Sequence, residues 1–186
     1  MRVFENLVNI RWTPPDPLKG KLKVLIQHPA GEIPAAILRK EADLPMVKIG
    51  EGVAIQLLQV DLDHNIRITR ALLSPGLRLR THLHTGHVYA WTLSGTWKYI
   101  EYPESSQANS YLYEPAGSSH TLLVPPESKV PADVIFIVHG TNIELDAQSK
   151  MEGATDAATI ARAYLKGCKD QGLPRPDIIG LPKNWE

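Results

Sequence analysis

From Val53 onward the chain breaks into short runs in which apolar and polar positions alternate, separated by turn residues. Val53 to Val60 reads as one strand, followed by a connection at Asp61 to Asn65. Ile66 to Leu73 is a second, with Ile66, Ile68 and Arg70 on one face. Pro75-Gly76 turns the chain into Leu77 to His84. Val88 to Leu93, a turn at Ser94-Gly95, and Trp97 to Tyr102 come next. Tyr111 to Glu114 precedes Pro115-Ala-Gly117, and His120 to Val124 and Val134 to His139 complete the series. Closely spaced short strands with no helical period between them predict an all-β fold, an antiparallel sandwich or barrel.

A helical period appears only near the end. Asp156 to Gln171 puts Ala157, Ala161, Tyr164, Leu165 and Cys168 on one stripe, with Thr155 or Asp156 as cap and Gly172 and Pro174 as stop. This predicts a C-terminal α-helix packed outside the sheet, with Cys168 a small buried apolar residue rather than a nucleophile. The first 45 or so residues read differently. Pro14, Pro15, Pro17, Pro29, Gly31, Pro34 and Pro45 surround a short alternating segment, Lys21 to Ile26. The expected organisation is a Pro-rich N-terminal arm with short strands over 1–45, a barrel over 46–145, and a C-terminal helix and tail over 146–186.

Composition narrows the function classes. The chain has 186 residues, long enough for one domain with a real core, and its 20 basic residues balance 20 acidic ones. A chain without net charge lacks the electrostatic drive for nucleic acid or an anionic membrane, so neither is expected as a partner. The longest strongly apolar run, Val134 to Val138, is far too short to span a bilayer, and the N-terminus shows no signal-peptide core. With one cysteine, no internal disulfide can form, and the expected location is the cytoplasm. The seven histidines are the unusual count.

Three of them carry the candidate chemistry. In an extended strand His82 and His84 face the same way and can point at one metal, although a His-x-His pair alone is as well explained by chance placement. A second segment, Pro115-Ala-Gly117-Ser-Ser-His120, couples a tight backbone turn to a histidine entering a strand. Together these segments resemble the two motifs of the cupin superfamily. The first runs from Gly76 through His82 and His84 to Gly95, and the second centres on Pro115, Gly117 and His120. The resemblance implies a single RmlC-like cupin, a double-stranded β-helix jelly roll with His82, His84 and His120 meeting at its mouth as metal ligands. The chain departs from the motifs in three places. Val88 stands where the family usually has a glutamate ligand, and Asn109 and Val124 stand where it commonly has glycine and asparagine. The expected site is therefore a three-histidine one. Three neutral imidazoles leave the charge of a dication uncompensated, which favours an anionic chelating substrate.

Several neighbours have two readings. His87 follows a Gly86 turn and reads as a loop residue or a residue behind the ligands, with a place as a fourth ligand the other reading. Glu101 shares strand phase with Trp97 and Tyr99, so it is a fourth ligand or supporting acceptor, or simply an exposed strand end. Arg80 shares phase with His82 and meets either an anionic substrate or a partner in a rim salt bridge. Trp97 and Tyr99 either wall the pocket or belong to the core. His28 and His64 lie in turns, and His139 ends an apolar strand between core and pocket.

The words His84-Thr-Gly86, Gly95-Thr-Trp97-Lys-Tyr99, Tyr113-Glu-Pro115-Ala and Tyr164-Leu-x-x-Cys168-Lys-x-x-Gly172 look closest to the 2,4′-dihydroxyacetophenone dioxygenase family. The three-histidine pattern is similar to that of the acetylacetone-cleaving dioxygenases. That likeness implies non-haem Fe(2+) and O2 acting to break a carbon–carbon bond next to a carbonyl. The substrate would be a β-diketone or α-hydroxyketone, and no catalytic group beyond the metal centre is needed. Zn, Ni or Mn are alternative occupants. Two other readings stay open: a non-oxidative isomerase or hydrolase, and a non-catalytic cupin that senses a metal or ligand. The expected partners are a small carbonyl compound, O2, and further copies of the chain in a homodimer or homotetramer built through sheet edges.

Overall fold

A β-rich architecture follows from the alternating runs, and the computed structural model describes it for residues 36–185. The alternating segment 21–26 and His28 lie outside the described residues. From Leu38 the chain forms one compact unit. A 3-10 turn at Glu41–Asp43 leads into β1 (Val47–Gly50), β2 (Val53–Asp61), β3 (Ile66–Leu73), β4 (His82–His84) and β5 (Val88–Ser94). Next come β6 (Thr96–Tyr99), β7 (Ser105–Gln107), β8 (Tyr111–Glu114), β9 (Ser119–His120) and β10 (Leu122–Leu123). β11 (Ala132–His139), β12 (Asn142–Leu145), β13 (Met151–Thr155) and the helix α1 (Ala157–Asp170) complete the chain.

The strands form antiparallel sheets in the orders β1-β2-β3-β11-β5-β8, β13-β12-β4-β9 and β10-β6-β7. Their inner faces meet around Leu57, Trp97, Val124 and Val134, all fully buried. The all-β jelly roll with a C-terminal helix expected from the sequence is thus the fold observed.

Two runs expected as single strands are broken, for a shared reason. Leu77 to Leu79 runs beside β10, with the Leu79 amide donating to Leu122 O at 3.0 Å, and only His82–His84 then pairs in the other sheet. Likewise His120 pairs with β4 while Leu122 pairs with β6. Both segments change sheet at one corner, where the Thr81 and Thr121 hydroxyls are 2.7 Å apart. A corner of this kind keeps the apolar alternation while interrupting the ladder. The run Trp97 to Tyr102 also ends early, at Tyr99, where the Tyr102 amide turns back to Tyr99 O at 3.2 Å.

The helix matches its expected bounds. Asp156 is the N-cap and its carboxylate accepts the Thr159 amide at 2.7 Å. Its stripe buries Ala157, Ala161, Tyr164 and Cys168 over β1 and β2, and Tyr164 Oη donates to Pro45 O at 2.6 Å. Burial pushes the Cys168 thiol up, so it behaves as the inert core residue expected.

Candidate metal centre

Strand alternation brings the histidines together. His82 and His84, two apart on β4, both point inward, and β9 pairs antiparallel with β4 in the register His82 to His120. The turn before β9 depends on Gly117, whose φ of 86° lies in the region that glycine adopts without strain. That turn is tied back to β4, with the Gly117 amide donating to His84 O at 2.7 Å and the His84 amide to Ser118 O at 2.9 Å. The three buried rings have centroids 4.8, 5.1 and 5.0 Å apart, and one ring nitrogen from each lies within 4.8 Å of the others.

Each ring is held by its surroundings. His82 Nδ1 is 2.9 Å from Arg80 O. A carbonyl only accepts, so the proton is on Nδ1 and Nε2 keeps its lone pair. Burial lowers the His82 pKa to about 4, despite the opposing pull of that carbonyl, so the ring is neutral at neutral pH. His120 is clamped by Tyr99, whose ring stacks on it at 3.6 Å and 17°.

A carboxylate completes the cluster. Glu114, on β8, is 3% exposed, and its Oε2 lies 3.0 Å from His84 Nε2 and 3.1 Å from His120 Nε2. Those two nitrogens are themselves 3.1 Å apart. Neither approach to Oε2 has hydrogen-bond geometry, which leaves that buried oxygen without a hydrogen-bond partner among the described residues. Burial pushes the Glu114 carboxyl up, but His120, His84 and the Tyr99 hydroxyl outweigh it and hold it down at about 2. Tyr99 Oη donates to Glu114 Oε1 at 2.5 Å, and burial keeps that phenol protonated.

These residues fit a divalent metal. Donors about 2.1 Å from one ion stand about 3.0 Å apart at right angles and about 3.4 Å apart in a tetrahedron. His84 Nε2, His120 Nε2 and Glu114 Oε2 have the former spacing, and the unpartnered oxygen faces the two nitrogens as a ligand would.

The residues with two readings lie around this cluster or apart from it. Glu101 does not join the cluster: its Oε2 accepts the Thr121 amide at 2.9 Å, bracing the corner beyond His120. The strand phase that pointed it inward ends at Tyr99. His87 lies apart, stacked on His139 at 4.0 Å. Arg80 forms the rim salt bridge, 2.7 Å from Glu152, and serves His82 through its carbonyl. Trp97 is core, with its indole N–H donating to Thr92 Oγ1 at 3.0 Å, whereas Tyr99 belongs to the site. His64 is exposed in a turn against Asp61. Val88 is a buried apolar wall, and Asn109 takes a left-handed φ of 67°, which asparagine tolerates where the motif has glycine.

Two residues at the site were not anticipated, Glu114 and Arg67. Both are charged positions in the inward phase of their strands, the signal that would have found them. A cavity of about 370 Å³ opens beside the histidines, walled by Val88, Leu122, Phe136 and Val138 and lined also by Tyr99, Glu114 and Arg67. This volume suits a small organic molecule.

Comparison with known proteins gives this geometry a family. No curated protein matches the chain significantly. A cupin-like protein of unknown function from Ralstonia eutropha superposes with a TM-score of 0.72 at 30% identity, covering 81% of this chain and 99% of that one. An RmlC-like cupin from the same organism gives 0.70 at 25% identity, over 75% and 91%. The acetylacetone dioxygenase of Acinetobacter johnsonii, 16% identical over 76% and 96% of the two chains, shares the fold with a TM-score of 0.62. The family model of the ChrR cupin-like domain matches residues 34–142. The chain belongs to the ChrR-like cupin family.

Proposed function

We propose that this cupin is a non-haem iron dioxygenase that cleaves a carbon–carbon bond next to a carbonyl in a β-diketone or α-hydroxyketone. The supporting observation is the convergence of His82, His84 and His120, with Glu114 against them, beside a largely apolar cavity. When bound, the metal supplies Lewis acidity toward a chelating carbonyl compound and, as iron(II), the electrons that activate dioxygen. The chain's own part is positional. Arg80 O keeps the His82 Nε2 lone pair free, and Tyr99 fixes the His120 ring and holds Glu114 ionised. Glu114 offsets one unit of a dication's charge and leaves one to favour an enolate. The walls of Val88, Leu122, Phe136 and Val138 exclude water from the hydrocarbon part of the ligand.

The test is anaerobic reconstitution with Fe(II), followed by oxygen-electrode assays on a panel of β-diketones and hydroxyacetophenones. Oxygen uptake with at least one compound is expected. Full iron occupancy with no uptake across the panel refutes the dioxygenase reading. Turnover by zinc-loaded protein without oxygen points instead to an isomerase or hydrolase.

A second copy of the chain is the proposed occupant of one outer face. Trp91 on β5 and Tyr111 and Tyr113 on the neighbouring edge strand β8 are each about half exposed. Aromatic side chains bury roughly 150–250 Å² each. Half exposure of three therefore leaves roughly 300 Å², over a third of the roughly 800 Å² per partner in a standard interface. Light scattering on the wild type and on a Trp91→Ser, Tyr111→Ser variant tests this. A dimer or tetramer that dissociates in the variant is expected, and a monomeric wild type refutes it.

A further inference from the structure

Beyond Glu114 the cavity is lined by three charged side chains, of which Arg80 is paired with Glu152 and Glu144 accepts the Thr155 hydroxyl at 2.9 Å, leaving Arg67. Arg67 lies on the inward face of β3, is 3% exposed, and lines the same space as the histidines. Its guanidinium donates through Nη1 to Gly140 O at 2.9 Å and through Nη2 to Asn142 Oδ1 at 2.7 Å. Both acceptors are neutral. Asn142 sits opposite His84 in the β12–β4 register, so the guanidinium reaches the wall that carries the metal ligands.

Among the described residues no carboxylate forms an ion pair with Arg67, whereas Arg39 and Arg80 each have one and Arg70 has two. Asp156 favours its charge only from beyond contact, while its own carboxylate caps α1. Burial accordingly lowers the Arg67 pKa to about 10, which still leaves it a cation at neutral pH. A guanidinium has five N–H donors, and three of these have no partner among the described residues. A buried cation bonded only to neutral acceptors is costly unless an anion comes to it.

We infer that Arg67 is a substrate-binding residue that recognises a carboxylate, so that the preferred ligand joins a metal-chelating carbonyl group to a carboxylate across a short hydrocarbon spacer. This rests on the chelating-substrate reading above and narrows its substrate class. The chelating end belongs at His82, His84 and His120, the spacer against the apolar wall, and the carboxylate on the free edge of the guanidinium, which binds carboxylates in a two-pronged fork.

The test compares acetylacetone with 4,6-dioxoheptanoate, which presents the same β-dicarbonyl with a carboxylate two methylenes away. Hexanoate serves as a probe that does not chelate. Affinities are measured by isothermal titration calorimetry on zinc-loaded protein, where no oxidation occurs. Wild type is expected to bind 4,6-dioxoheptanoate at least about tenfold more tightly than acetylacetone, as a charge-assisted bond to a buried group provides. In Arg67→Gln the ratio should fall to within about twofold, and Arg67→Lys should keep part of the preference. A purely structural Arg67 would lower thermal stability in these variants without changing the ratio. Equal affinities in the wild type, or a preference that survives Arg67→Gln, overturns the inference. If neither dicarbonyl binds, the chelating reading has failed and hexanoate decides this one. Binding lost in Arg67→Gln upholds it, and binding unaffected or absent in the wild type overturns it.

Discussion

Replacing Glu114 by Gln separates the metal account from a purely structural one, because only the metal account predicts a loss of metal affinity beside the change in stability. In the metal-free protein the Glu114 carboxylate is buried, its Oε1 takes the Tyr99 hydroxyl at 2.5 Å, and its Oε2 stands 3.0 and 3.1 Å from two ring nitrogens without a hydrogen bond. His120, His84 and the Tyr99 hydroxyl outweigh burial and hold that carboxyl well below its ordinary value, so its charge contributes stability at neutral pH. Glutamine fills the same space, keeps an oxygen for Tyr99, and places an NH2 where it can donate to His84 Nε2 or His120 Nε2. The metal-free variant should nevertheless melt somewhat below the wild type at neutral pH, because the amide forgoes the stability of a carboxylate the fold holds ionised. Metal binding should suffer, since the amide brings no negative charge and puts protons toward the ion. Loss of a hydrogen-bonded group beside the ligands typically costs 10–100-fold in affinity, about 1.4–2.8 kcal/mol, and loss of a directly coordinating carboxylate belongs at or above the upper end. Competition titrations with a chromophoric zinc chelator give the affinity, and calorimetric melting gives the stability. Unchanged affinity in Glu114→Gln would refute the assignment of this carboxylate to the site.

Other perturbations probe separate parts of the account. Ala in place of His82, His84 or His120 should each abolish stoichiometric metal, and His87→Ala should leave it intact because that ring stacks on His139 away from the cluster; metal analysis after dialysis distinguishes the two. Asp156→Ala should cost ~1 kcal/mol of stability at neutral pH by removing the cap on Thr159. The Thr159 amide holds the Asp156 carboxyl below its ordinary value of 3.8, so the wild-type advantage is full above that pH. It is lost as the pH falls through the lower folded value, and denaturant melts across the acid range should show this narrowing. Gly86→Ala would set a Cβ 2.3 Å from His139 O, a backbone atom with no freedom to withdraw. A loss of about 1–3 kcal/mol, read from the same melts, should accompany the strain.

The sheet fold was legible because strand alternation and turn residues are local signals, and β3 and β8 begin and end where the pattern placed them. His82 and His84 were legible for the same reason, and Pro115, Gly117 and His120 because a tight turn constrains residue type. What escaped depends on partners distant in sequence. The inward face of β3 carries Arg67 and Thr69 while Ile66 and Ile68 face outward, so the charge in the buried phase was legible, but reading the phase by apolar residues assigned the faces the wrong way round. Glu114 ends an edge strand whose outer face is tyrosine. Only its arrival beside His84 and His120 shows that the carboxylate absent at Val88 comes from a different strand. β12 and β13 have modest apolar content; β12 pairs with the edge of β4 and β13 in turn with β12.

The central claim is that the site consumes dioxygen to break a carbon–carbon bond, and isotope labelling tests it most directly. Iron(II)-loaded protein would be given acetylacetone, or another panel compound that triggers uptake, under oxygen-18 gas, with the products examined by mass spectrometry. The account predicts two fragments, each carrying one labelled oxygen atom, with one dioxygen consumed per substrate. Fragments free of label, or iron-loaded protein that leaves both substrate and oxygen untouched across the panel, would contradict it.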